Sequence, residues 1–178
     1  MEKYFPALKN SALFEGIEET DFMPLLSCLA ARLIRFEKGR TIFAVGEHIE
    51  RFGIVLSGQV QVFQDDYYGS RSILAQMGAG GLFEESFVCA RIETLPVSVA
   101  ATAESTMLLI DYRRLVQPCA KLCAFHGRLI QNMLSIVSGK NVALKRLKEG
   151  GAEAMTEQDL RIVGTIREYR SYYNSIQY

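Results

Sequence analysis

Cys119, Cys123 and His126 stand four and then three positions apart, a spacing that brings two thiols and an imidazole to one face of a helix. Such groups suit a soft metal or haem, but the set has three members and the sequence specifies no fourth. The same positions open a longer apolar series, in which thiols behave as small buried hydrophobes and a histidine meets one polar contact. No metal or other cofactor is therefore expected. The second candidate is the adjacent pair Glu84 and Glu85, just after Gly78-Ala79-Gly80-Gly81. Paired acids behind a glycine turn can accept hydrogen bonds from a ligand or from backbone amides, while the glycines can equally form a tight corner between strands. Arg91 is the nearby cation that could offset them against an anionic ligand. Ser57 before Gly58 lacks the flanks of a hydrolase nucleophile elbow, and His48 beside Glu47 is one local polar pair. No enzyme is expected, with a small metabolic isomerase on a related β-roll as the lesser alternative.

The elements that would hold these residues change character twice along the chain. From Thr20 through Arg32 the positions Phe22, Leu25, Leu26, Leu29 and Leu33 recur at helical steps behind an acidic first turn, which predicts a short helix lying over a core. Period-two alternation follows: Ile34 and Phe36; then Ile54, Leu56, Gly58, Val60 and Val62; then Ile73, Ala75 and Met77; then Val97, Val99, Ala101 and Ala103. Glycines punctuate these runs at short intervals, and Met107 to Ile110 adds a brief apolar strand. That pattern predicts an antiparallel roll from about residue 20 to residue 111.

After Tyr112 the helical period returns. Cys119, Cys123, His126, Ile130, Met133, Val137, Lys140, Leu144 and Leu147 form one line at steps of four and three, with Leu122, Phe125, Leu129 and Ile136 beside it. Two apolar stripes on one helix need two partners, here the roll and a second copy of the helix. The first line is the expected homodimer seam, which Lys140 interrupts. Gly150-Gly151 ends the helix, and Thr156 with Asp159 can start another. The Tyr-rich tail of about 25 residues can make one or two helices but not a helix-turn-helix with its supporting core. Three units result: helices and roll over 1–115, the dimerisation helix over 116–149, and a short tail over 150–178.

The 178 residues are 49% hydrophobic and 22% charged with only 4 prolines, as expected of a packed globular chain rather than a disordered one. No run reaches the roughly 20 apolar residues needed to cross a bilayer, and Met1 to Lys9 lacks a secretory core, so a cytoplasmic protein without membrane contact is expected. Lysine plus arginine equals aspartate plus glutamate, 20 against 20, which offers no long-range pull on a polyanion. The four cysteines fit neither a zinc knuckle nor a disulfide framework.

Assembled, these pieces resemble the sensor half of the Crp/Fnr family of bacterial transcription regulators. The resemblance runs from about Phe5 to Glu149 and rests on Leu13-Phe14-Glu15-Gly16-Ile17, on Gly58-Gln59-Val60, on Gly78 to Glu85, and on Pro96-Val97-Ser98-Val99-Ala100-Ala101. It implies a mainly β fold with helices, a double-stranded β-helix or jelly roll of the cyclic-nucleotide-binding kind, followed by a long dimerisation helix. It also implies an effector-sensing, homodimeric role, with DNA read only if a carboxy-terminal domain is supplied; a stand-alone small-molecule-binding or interaction roll is the alternative. In nucleotide-binding members a Gly-Glu pair ends the glycine loop and the glutamate meets the ribose; the matching residues are Glu84 and Glu85. An Arg-Ser or Arg-Thr pair clamps the cyclic phosphate; the matching residues are Leu95 and Pro96, and leucine brings no donor and no charge. The ligand candidates are thus Gly80, Gly81, Leu82, Phe83, Glu84, Glu85, Arg91, Leu95, Pro96, Val97 and Ser98, for an effector other than a typical cyclic nucleotide.

Overall fold

The computed structural model describes residues 1–117 and 124–150 together with Thr156. A short 3₁₀ turn leads into α1 (Phe5–Asn10), a second 3₁₀ turn spans Ala12–Phe14, and α2 (Glu19–Cys28) follows. Eight strands come next: β1 (Arg32–Phe36), β2 (Thr41–Phe43), β3 (Arg51–Ser57), β4 (Val60–Asp65), β5 (Arg71–Met77), β6 (Leu82–Phe83), β7 (Ser98–Ala101) and β8 (Ser105–Asp111). The five-residue helix α3 (Glu85–Cys89) lies between β6 and β7; α4 (Tyr112–Val116) and α5 (Ala124–Gly150) follow β8. Asp111 caps α4, its side chain accepting from the Arg113 N–H at 2.9 Å.

The strands form two four-stranded antiparallel sheets, in the orders β1-β8-β3-β6 and β2-β7-β4-β5. This is the expected jelly roll. The first sheet is covered on both faces, which explains why β8 reads as an unbroken apolar run. Leu108 and Ile110 enter a core shared with the helices, while Met107 and Leu109 enter the core between the sheets. Each fully buried side chain of this kind contributes about 1.5 to 3 kcal/mol by apolar transfer. In the helical core Phe22 meets the edges of Phe5 and Phe14 at centroid distances of 5.3 and 5.2 Å.

Alternation from Ile54 to Val62 reads as one strand but is two. At Gly58, whose φ is +82°, the chain leaves the first sheet as β3 and enters the second as β4. Gly53 serves close packing instead: a Cβ there would collide with the Phe83 ring, which lies against the strand.

Helix α5 is tied to the amino-terminal segment by Asn132, whose Nδ2 donates to the carbonyls of Leu13 and Glu15 at 2.8 and 2.9 Å. Its Leu129, Met133 and Ile136 belong to the helical core. No helix among the described residues is long and apolar enough to cross a membrane.

Candidate functional site

A cavity of about 190 Å³ opens between the second sheet, the β6–α3 corner and α5. Val62, Leu74, Ala75 and Met77 supply one wall, Val97 another, and Leu82 and Phe83 the corner. Helix α5 closes it with Lys140, Asn141 and Leu144. At the corner sit Glu84 and Glu85, 5% and 1% exposed.

Their burial follows from the turn before them. The Gly80 N–H donates to the Val55 carbonyl at 2.8 Å with φ at +89°, and Gly81 N–H donates to Gly78 O at 3.0 Å. This fixes β6 beside β3 and turns the chain inward. Glu84 then adopts φ +67°, a left-handed conformation that a glycine takes without strain and other residues take at a cost of about 1 to 2 kcal/mol. Glu85 begins α3.

Lys140 pairs with Oε1 of Glu85, the two side chains being 12% and 1% exposed. The same oxygen accepts from Ser86 Oγ at 2.8 Å. Oε2 of Glu84 and Oε2 of Glu85 are buried without a hydrogen-bond partner among the described residues. Burial, reinforced by the Glu85 carboxylate and partly offset by Lys140, pushes the Glu84 carboxyl up to about 8, so it is mostly protonated at neutral pH. Burial, then Glu85, pushes the Cys89 thiol up to about 11.

The expected ligand residues separate in space. Leu82, Phe83, Glu84, Glu85 and Val97 line the cavity, and Gly80 and Gly81 shape its corner. Leu95, 2% exposed, instead enters the helical core, held by Leu95 N–H to Glu47 O at 2.9 Å and Gly46 N–H to Leu95 O at 2.8 Å. Pro96 is exposed, and Ser98 Oγ accepts from the Val45 N–H at 3.0 Å. Arg91 borders a different hollow, with His48, Glu93 and Tyr112 among its walls. The cation beside the acids is Lys140, which sequence spacing places on the dimer line. A signal for it exists in the sequence: a lysine inside an apolar stripe needs a buried partner.

Along α5, His126, Met133 and Lys140 face the chain's own roll rather than outward. His126 Nε2 donates to the Arg114 carbonyl at 2.8 Å, and its Nδ1 lies 4.0 Å from Cys28 Sγ. Met133 is 4% exposed. Ile130, Val137 and Leu144 lie half-buried on the adjoining flank beside Leu134, 63% exposed. Cys119, Cys123 and the Leu147 side chain lie outside the described residues, as does the tail from 151 onward apart from Thr156.

The chain is 28% identical over 159 residues to the cyclic AMP receptor protein of Thermus thermophilus, an alignment covering 80% of this chain and 73% of that one. It is 31% identical over 78 residues to a CRP-like cAMP-activated global transcriptional regulator of Mycobacterium tuberculosis, covering 44% of this chain and 34% of that protein. Its fold is similar to the sensor domain of the transcriptional regulator DNR from Pseudomonas aeruginosa, with a TM-score of 0.63 at 20% identity over 84% and 96% of the two chains. The sequence profile of the cyclic nucleotide-binding domain matches residues 33–121, half of the chain and most of the cavity wall. The chain therefore belongs to the cyclic nucleotide-binding domain family, with the roll-and-helix architecture of a Crp/Fnr-type sensor domain.

Proposed function

We propose that this chain is the effector-sensing and dimerising portion of a transcription regulator, and that its effector is a small molecule held in the cavity beneath α5. One observation carries the reading: Lys140 reaches from α5 to Glu85 at the roll's corner, so a ligand at the acids acts on the helix directly. A binding role rather than a catalytic one follows from the regulators among its relatives. No described segment is assigned to reading DNA.

The Thermus and Mycobacterium proteins are named for cyclic AMP. Here the residue at the phosphate-clamp position is apolar and turned into the helical core, and at the roll's corner an anion would meet the Glu85 carboxylate, whose cation Lys140 is already paired with it. Cyclic adenosine and guanosine monophosphate are expected to give no heat of binding in calorimetry below the high micromolar range. Tight stoichiometric binding of either one would overturn that expectation.

The homodimer is assigned to the flank of α5 that carries Ile130, Leu134, Val137 and Leu144. Leu134→Asp is expected to raise the dimer dissociation constant by at least about ten-fold, since it buries an unpaired charge at each copy of the seam. Sedimentation velocity over a concentration series, with circular dichroism as a folding control, measures it. Wild-type protein that stays monomeric at tens of micromolar would remove this part of the reading.

A further inference from the structure

At the corner of the cavity two buried carboxyl groups have polar atoms without partners among the described residues. Oε2 of Glu84 and Oε2 of Glu85 are buried and unpartnered among the described residues, and the cation at the site, Lys140, is already engaged with Oε1 of Glu85. The rest of the lining is mainly apolar, with Val62, Leu74, Met77, Phe83 and Val97 prominent. A buried acceptor left unsatisfied is costly, and more so in a low-dielectric pocket. Glu84 also holds a strained left-handed backbone, and strain of this kind gathers at ligand sites.

We propose that the effector is a small organic cation, a protonated amine or amidine on an apolar body, whose head bonds Oε2 of Glu84 and Glu85 while its body lies against the apolar wall. This rests on the cavity being the effector site and adds the chemical class of the ligand. A carboxylate or phosphate would meet the Glu85 carboxylate and a lysine already paired with it, and would hold Glu84 in its protonated form. A neutral apolar molecule would leave both acceptors unmade. A metal ion has too few ligands, since no group of three His, Cys, Asp or Glu suited to a metal occurs among the described residues. Size fits as well: a dry cavity of about 150 Å³ accepts benzene, and this one is about 190 Å³.

The proton balance is specific. Among the described residues the charged groups that act on Glu84 are Glu85 on α3 and Lys140 on α5. Lys140 is committed to Glu85, and Cys89, at the end of α3, is neutral because burial holds its thiol up at about 11. On arrival of the ammonium group the Glu84 O–H bond breaks, its proton passes to solvent, and a carboxylate–ammonium pair forms. Affinity therefore rises with pH from 6 to 8, opposite to the trend for an anionic ligand.

The test is calorimetry on the full chain with three matched probes: cyclohexylmethylamine, cyclohexylmethanol and cyclohexanecarboxylate. At pH 8 the amine is expected to bind at least about ten-fold tighter than the other two, and to weaken by at least about ten-fold at pH 6. Glu84→Gln, near-isosteric and checked for folding by circular dichroism, is expected to remove the amine's advantage while leaving the alcohol within about two-fold. Equal or better binding of the alcohol or carboxylate, no binding of any probe at millimolar concentration, or an unchanged amine affinity in Glu84→Gln overturns the cation assignment. Leu74→Trp, which fills the apolar wall, separates the two readings. If it abolishes binding of probes that show no amine preference, the effector site stands and the ligand class is wrong. If amine binding survives it, the cavity is not the binding site and both fail.

Discussion

Glu84→Gln is expected to stabilise the folded domain by roughly 3 kcal/mol at pH 7 and to leave its stability unchanged near pH 4. Burial, together with Glu85, raises the folded-state value of Glu84 from 4.5 to about 8. A carboxyl shifted upward contributes its full stability below the unfolded value and loses it as pH rises to the folded one. Over that window the unfolded chain has released a proton that the folded chain still holds, so stability falls by up to about 1.4 kcal/mol per pH unit. Glutamine keeps the shape without the titration. The left-handed backbone is unchanged, which isolates the protonation term. Urea midpoints of wild type and variant at pH 4.5, 6, 7 and 8 should diverge progressively. Parallel curves would mean that Glu84 is ionised in the folded protein, and the buried-acid description of the site would be wrong.

Gly58→Ala is expected to lose about 3 to 5 kcal/mol, enough to unfold much of a domain of ordinary stability. Its φ of +82° strains any side chain, and a Cβ would collide with Ser105 Oγ and the Glu104 carbonyl oxygen and stand 2.7 Å from Ser105 Cα. Ser105 has little room to withdraw, because its Oγ accepts from the Gln59 N–H at 3.0 Å and donates to the Ala103 carbonyl at 2.8 Å. Gly69 is the control: it has a similar φ of +80°, but nothing lies within 4 Å of the point an alanine methyl would occupy. Gly69→Ala should therefore cost only the backbone strain, about 1 kcal/mol. Chemical denaturation of both variants measures the difference. Equal losses would show that the crowding at Gly58 relaxes and that only its dihedral matters.

The strands are legible in the sequence where one face is buried and the other is not, and where glycine marks a turn. Position 58 shows the limit of that reading. Alternation continues through Gly58 with the same period on either side, although Ile54 and Leu56 enter the helical core and Val60 and Val62 the core between the sheets; the change of sheet lies in the dihedral, not in the pattern. The helix α3 is hidden by its length, since five residues hold too few turns for a periodic signal. On α5 the spacing correctly gathers His126, Met133 and Lys140 onto one line, but spacing alone cannot say what that line faces. Leu129, Met133 and Ile136 all enter the helical core, and Lys140 follows them to the roll. Arg91 is close to the acids in sequence only; the chain turns away after α3, and the cation that reaches them comes from 55 residues beyond Glu85.

The burial of Leu95 bears on how effector preference can change by descent. Were that side chain merely a neutral occupant of the cavity wall, one codon change to arginine would suffice to explore phosphate recognition. It points instead into the helical core, so an arginine there would set a guanidinium among buried apolar side chains rather than toward a ligand. The segment between α3 and β7 would have to be re-threaded, with its hydrogen bonds to Gly46 and Glu47 given up, before a clamp at this position could be selected. Lineages carrying this arrangement are thus separated from cyclic-nucleotide recognition by a valley of unstable intermediates, and their ligand range is expected to drift through the residues around Glu84 and Lys140 instead.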